Sequence, residues 1–591
     1  MVSNPLRAAT LRLAVLLLAI WCVGMFGRGF WTPDEPREAD IAWRMSWQSD
    51  KAVPLLAGEP FCEKPPLTYW VAAVPIRLFG ARAWASRLPN LAYAIIGTMC
   101  VGLLARRCCG RRAGLIGAAV SGTFLLSYQV QIWLATDAPL LASTAAALLG
   151  AYIGFYASRR GERLGGYTLM HVAMGVGFLS KSAAAWMVPA LTLITLICWE
   201  RRWRELLRWE LYAGSGLQAA MILTWVGFVY AEPDGVAHLK VFFWNNLAGR
   251  FARVDAPAQL QYAAAHRNSP GKYLIELPLY LFPWTFAALA AARRALLPGA
   301  LLPAAFLPGA SLRRTDMRGD LRAIRFAVSA FLPALLLLSL AATARNVYLA
   351  PALPGLALLI AWWGDGIVRD ADRWDIWALH ATAALLLLAA AVAALAAALV
   401  RIDAGESLAA PGVFIGVSAV GLTLSALLAF RAWNAVKRDA WIAQGALLAA
   451  YAALLLGPAA AIYGQVDRWQ NLESIARDVR RDTAGHPLML LAPDETTRAI
   501  ADMYISTSVL NVNGPLDETA LAEASSAAQT SGALILALLP GRGLPQSPWL
   551  ARRLPAARSA LPLWAGFPGL HTVEQYVLPN GRRYALLEPA D

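Results

Sequence analysis

The chain has 591 residues, of which 58% are hydrophobic and only 15% charged, too apolar a mixture to be hidden inside ordinary soluble domains. Its formal net charge of +14 would point to nucleic acid in a soluble protein, but the arginines gather in short clusters between apolar stretches. That pattern orients membrane helices, so nucleic acid is not an expected partner. Six cysteines show no metal-ligand spacing and imply no disulfide framework.

A helix needs about 20 apolar residues to cross a bilayer. Windows of that kind centre near residues 18, 97, 122, 147, 175, 191, 220, 281, 334, 356, 388, 421 and 452. They predict an α-helical polytopic membrane protein with about 13 transmembrane helices. The first window follows Arg7 and Arg12 like a signal peptide, yet bulky Trp21, Phe26 and Trp31 offer no small-residue cleavage site, so it is expected to stay as a helix.

Basic clusters then fall at every second junction: Arg106 with Arg107, Arg111 and Arg112; Arg159 with Arg160 and Arg163; Arg201 with Arg202, Arg204 and Arg208; the arginines of 293–325; Arg369 with Arg373; and Arg431 with Lys437 and Arg438. Those loops are expected to be cytoplasmic. The opposite junctions, 31–87, the turn at Asp137, 231–270, 343–348, 401–411 and everything after 464, are then extracytoplasmic. Segment 65–80 is apolar enough to cross, but crossing would put the arginines of 106–112 outside, so an interfacial helix is expected there. After residue 463 the composition turns polar, and short β-type runs (488–492, 508–512, 533–539, 573–578, 584–587) alternate with helical stretches at 469–481 and 496–504. This predicts a transmembrane domain over 1–464, with first extracytoplasmic loop 31–87, and an extracytoplasmic α/β domain over 465–591, where Pro579-Asn580-Gly581 is a hairpin signal.

Ionisable residues gather on the extracytoplasmic side. In Thr32-Pro33-Asp34-Glu35-Pro36-Arg37-Glu38, Thr32 and Glu35 have the spacing of a capping box, which accounts for Glu35 better than for Asp34. Continued as a helix to about residue 47, the segment puts Asp34, Arg37, Glu38 and Ile41 on one face. In Glu63-Lys64-Pro65-Pro66 the first proline holds Lys64 extended at a helix start, an oriented cation whose bland alternative is a surface pair with Glu63. Asp137, two residues before Pro139, is a plausible helix cap or a second acid of a site. Arg250 and Arg345, each explicable alone by snorkelling to lipid headgroups, could with Arg37 and Lys64 form a clamp for a phosphorylated substrate.

The combination of Pro33-Asp34-Glu35-Pro36-Arg37, Glu63-Lys64-Pro65-Pro66-Leu67-Thr68-Tyr69-Trp70, Arg87-Leu88-Pro89, Thr136-Asp137 and Ala344-Arg345-Asn346-Val347-Tyr348 resembles the bacterial branch of the protein mannosyltransferase-like family, glycosyltransferase family 39. These are membrane glycosyltransferases of the GT-C fold that use a polyprenyl-phosphate-linked sugar, and among them the chain resembles the lipid A aminoarabinose transferases. The resemblance implies that Asp34 and Asp137 are the acidic pair of the active site. It implies that Arg37, Lys64, Arg250, Arg345 and Tyr348 meet the carrier phosphate, and that Glu63 occupies a position that in relatives can help hold a divalent metal ion. Two positions depart from the pattern: Phe61 stands where those transferases often have tyrosine, and Asn245-Asn246 where they tend to have an acidic residue and histidine.

The activity so implied moves a monosaccharide from a polyprenyl-phosphate carrier, undecaprenyl phosphate in bacteria, to lipid A or another envelope glycolipid by direct inverting displacement. The setting is the inner membrane, with the site and the C-terminal domain facing the periplasm. A secreted protein or a cell-surface polysaccharide is the alternative acceptor. A lipid or sugar transporter is the alternative of another class, but it would want charged or broken helices near mid-membrane and often repeated halves, and the sequence offers neither.

Overall fold

The structure, a computed structural model, describes residues 5–247, 271–296, 317–341, 345–404, 411–459, 463–464, 466–467, 470–505, 509–512, 518–539, 569–578 and 582–590. Among the described residues, nine helices are long and apolar enough to cross a membrane, and eleven if each of two bent pairs counts as one span. The protein is a multi-pass membrane protein. Every one of the 13 windows is helical, and the difference from the expected count has a physical reason in two of them. Arg160–Lys181 carries Arg160, Glu162, Arg163 and Lys181 at its ends, and Ala184–Glu200 has only 17 residues. The bent pairs are Arg111–Thr123 with Leu125–Ile132 at 63°, and Lys272–Tyr280 with Thr285–Leu296 at 114°. Segment 65–80 forms the helix Leu67–Phe79, whose 13 residues rise about 20 Å and fall short of a hydrocarbon core of about 30 Å.

The bundle has two chemically distinct ends. At one, the basic clusters are tied together by ion pairs: Arg107 with Glu162 at 2.8 Å, Arg160 with Glu210 at 3.3 Å, and Arg325 with Glu200 at 3.9 Å. The first residue of Asp137–Tyr156 and the last of Arg160–Lys181 lie a helix length away, at the other end. Glycine lets these two antiparallel helices touch backbone to backbone. A Cβ at Gly166 would stand 2.4 Å from the Gly154 nitrogen, and one at Gly150 would stand 2.6 Å from the Gly166 carbonyl oxygen. That contact sets the register that brings Asp137 beside Lys181.

Beyond the bundle, residues 470–590 build a five-stranded sheet in the order Val509–Val512, Leu488–Leu491, Leu534–Leu538, Arg583–Pro589, Leu570–Val577. The first three strands are parallel and the last two antiparallel. All four residues of Leu488–Leu491 are buried, as a central parallel strand covered on both faces requires. Helices Glu473–Asp482, Glu495–Tyr504 and Glu518–Ser531 accompany the sheet, the last of them beyond the two helical stretches expected from the sequence. Pro579-Asn580-Gly581 lies outside the described residues.

The sheet unit also touches the first loop. Ala499 is buried in the same apolar cluster as Ile41, Met45 and Tyr69. Arg44 forks onto Asp502, with Nε 2.6 Å from Oδ2.

Candidate active site

The helix Asp34–Trp47 has no side-chain cap, and the expected capping box is not made. Thr32 instead donates its hydroxyl proton to Gln470, and Glu35 turns into the protein. A carboxylate with 0% exposure must be neutralised and fully hydrogen-bonded, and Glu35 is. It accepts from Arg28, from Arg87 Nε and Nη2 at 2.8 Å each, and from the backbone N–H of Trp31 at 2.9 Å and Leu134 at 3.0 Å. Burial pushes its pKa up, but Arg87 and Arg28 outweigh that and hold it down at about 2. Two buried arginines outrank a local cap, and their pairing fixes where the loop helix starts.

With Glu35 anchored inward, Asp34, Arg37 and Glu38 face a cavity of about 630 Å³. The same cavity is lined by Glu63 and Lys64 from the loop, Asp137 and Lys181 from the glycine-packed helix pair, and Arg345 and Tyr348 from the turn Asn346–Ala352 and its N-cap. Seven of the sequence-predicted site residues therefore converge: Asp34, Asp137, Arg37, Lys64, Arg345, Tyr348 and Glu63. The eighth, Arg250, lies outside the described residues.

The charges are interlocked. Asp34 accepts from Arg37 Nη2 at 2.7 Å on one oxygen and from Arg345 on the other. Burial acts to raise its pKa, but the charges of Arg345, Arg37 and Lys64 bring it below the ordinary carboxylate range, so Asp34 is ionised. Lys64 pairs with Glu38 at 2.5 Å; burial acts to lower its pKa, yet Glu38 holds it above the usual lysine value. Lys64 is thus an oriented cation, as expected, held by this inward pair with Glu38.

Asp137 pairs with Lys181 at 2.5 Å rather than capping its helix, and Lys181 Nζ lies 5.0 Å from the centre of the Tyr348 ring. Arg37 Nε is buried without a hydrogen-bond partner among the described residues. Leu140, Met187, Leu338 and Val347 give the cavity an apolar wall beside the charges.

Sequence reasoning missed Lys181 and the partnerships of Glu38 and Glu35. The signal for Lys181 was present: a lone lysine ends the apolar window that follows the one headed by Asp137. Phe61, in the place of the expected tyrosine, is buried in the first-loop core, its ring centre 6.0 Å from Lys64 Nζ.

The described residues alone do not complete a divalent-metal site. Among the described residues no three His, Cys, Asp or Glu side chains are grouped so that they could hold a metal ion, and the side-chain amide of Asn246 donates to the Glu63 backbone carbonyl where relatives tend to offer histidine. The metal role suggested for Glu63 thus has no donor set among the described residues.

The crystal structure of ArnT from Cupriavidus metallidurans bound to undecaprenyl phosphate superposes with a TM-score of 0.67 over 98% of this chain and 98% of that one, at 19% identity. Its apo form gives 0.66 over 98% and 97%. This chain has the GT-C glycosyltransferase fold. The sequence pattern of the family described as dolichyl-phosphate-mannose-protein mannosyltransferase matches residues 63–228 of this GT-C chain, a stretch that holds Glu63, Lys64, Asp137 and Lys181.

Two curated relatives carry the name undecaprenyl phosphate-alpha-4-amino-4-deoxy-L-arabinose arabinosyl transferase. The protein of Edwardsiella ictaluri is 30% identical over 352 residues, 59% of this chain and 58% of that protein. The protein of Pseudomonas paraeruginosa is 29% identical over 450 residues, 74% and 75%. The chain thus matches little more than half the length of the first relative and three quarters of the second, and it resembles the lipid A aminoarabinose transferases.

Proposed function

We propose that this protein is a glycosyltransferase of the bacterial inner membrane that moves one sugar, an aminopentose, from undecaprenyl phosphate to lipid A at the periplasmic face. The observation that carries the reading is the one cavity in which Asp34 and Asp137 stand among Arg37, Lys64, Lys181 and Arg345 beside an apolar wall. A lipid-borne phosphate needs both parts, cations for the headgroup and apolar surface for the first prenyl units. The names of the curated relatives and the resemblance read from the sequence support the donor and the acceptor.

In the reaction an acceptor oxygen attacks the anomeric carbon, the bond from that carbon to the phosphate oxygen breaks, and the carrier phosphate leaves as an anion. The leaving group needs positive charge more than a proton, and Lys64, Arg37 and Arg345 supply it, already oriented by Glu38 and Asp34. Asp34 deprotonates or aligns the acceptor. Both of its oxygens are held by arginine, and a carrier phosphate that draws those arginines to itself frees the carboxylate and raises its basicity. A single direct displacement inverts the anomeric centre.

The extracytoplasmic location of the cavity and of residues 465–591 follows from the alternation of basic clusters. Mass spectrometry of lipid A and carrier lipids from cells with and without the gene tests the whole reading. Lipid A lighter by one aminopentose in the deletion strain, with the sugar retained on the carrier, supports it. Unchanged lipid A with an altered glycan or glycoprotein would move the acceptor elsewhere.

A further inference from the structure

The geometry points to Glu495, in the C-terminal α/β unit, as a positioning residue for Arg37, which makes that unit a working part of the cavity in the membrane domain. The inference rests on the carrier-phosphate role proposed above for Arg37.

Arg37 is a fork held on both prongs: Nη2 lies 2.7 Å from Asp34 Oδ1, and Nη1 is paired with the Glu495 carboxylate. Its side chain is only 14% exposed, so the carboxylates paired with it largely decide where the guanidinium points.

Glu495 is itself well placed. It begins the helix Glu495–Tyr504, where a carboxylate is favoured by the helix dipole. The turn before it is fixed by Asp494, whose side chain accepts from the Thr497 N–H at 2.9 Å and from Arg582 at 2.6 Å. The helix is docked on the first loop by Thr496, which donates to the Pro33 carbonyl at 3.1 Å, and by Asp502, which pairs with Arg44. Without Glu495, Arg37 is left to Asp34 alone. It then swings toward a carboxylate already held by Arg345, and gives up the pose in which two carboxylates hold its guanidinium at the cavity wall.

The test uses the full-length protein in nanodiscs, titrated with undecaprenyl phosphate. Glu495→Gln is expected to weaken carrier binding about tenfold, the size of one lost charge-assisted hydrogen bond. In an Arg37→Ala background the same change is expected to add less than about twofold, because the residue it positions is gone. Asp502→Asn breaks a docking contact that does not reach Arg37 and should leave the Kd within about twofold of wild type. Wild-type binding by Glu495→Gln, an equal loss in the Arg37→Ala background, or an equal loss from Asp502→Asn would each overturn the positioning role. Unchanged binding by Arg37→Ala itself would instead overturn the carrier-site reading on which it rests.

Discussion

Asp34 and Glu35 are adjacent carboxylates on one helix turn, each held by two arginines, yet the side chain of Glu35 is 0% exposed while that of Asp34 is 18% exposed and opens on a cavity. Around Glu35 every hydrogen-bonding position is filled by protein, including two backbone N–H groups, so nothing can be exchanged without leaving a buried charge bare. Around Asp34 the partners are long, partly solvated side chains, and Arg345 is 45% exposed. The same ion-pair chemistry is therefore a fixed support in one case and an exchangeable set of ligands in the other, and solvent access decides which.

The contrast can be broken by substitution. Asp34→Asn should cost ~10³-fold or more in sugar transfer with little change in unfolding temperature, since no sealed partner is orphaned. A transfer assay paired with thermal unfolding checks it, and near-normal turnover would remove Asp34 from the chemistry. Glu35→Ala should do the reverse, lowering stability by about 3–5 kcal/mol because Arg28 and Arg87 are left buried and unpaired. Its measure is the denaturation midpoint in detergent, and a stability close to wild type would mean that the triad is dispensable. Lys64→Ala should weaken undecaprenyl phosphate binding by ~10-fold to 100-fold, read by titration.

The smallest effect sharpens the comparison through pH. The folded-state pKa of Glu35 is depressed, so its pairing stabilises in full above the ordinary value of 4.5 and is lost as pH falls through about 2. The unfolding temperature should decline across that window, and decline less in Glu35→Gln.

Much of this cavity could be read from the chain because ionisable residues at span ends are rare enough to stand out. Asp34, Arg37, Lys64, Asp137 and Arg345 were all visible for that reason. What could not be read was who pairs with whom. Lys64 turns to Glu38 across the loop, 26 residues away, and Lys181 meets Asp137 only because Gly150, Gly154 and Gly166 let two helices close up. Thr32 and Glu35 satisfied a local motif, but a capping box is worth less than the burial of a carboxylate between two arginines. The contact from Glu495 to Arg37 spans 458 positions and carries no local signature at all. In the helical bundle, composition marked every apolar window, whereas span length and bends depended on where charges and broken turns fell.

The most direct measurement is a cryo-EM structure of the full-length protein in nanodiscs with undecaprenyl phosphate. The account predicts the phosphate within hydrogen-bond distance of Lys64 and of at least one of Arg37 and Arg345, with Asp34 released from an arginine and the prenyl chain along Leu140, Met187 and Leu338. A phosphate bound elsewhere, with Asp34 still held by both arginines, would contradict it.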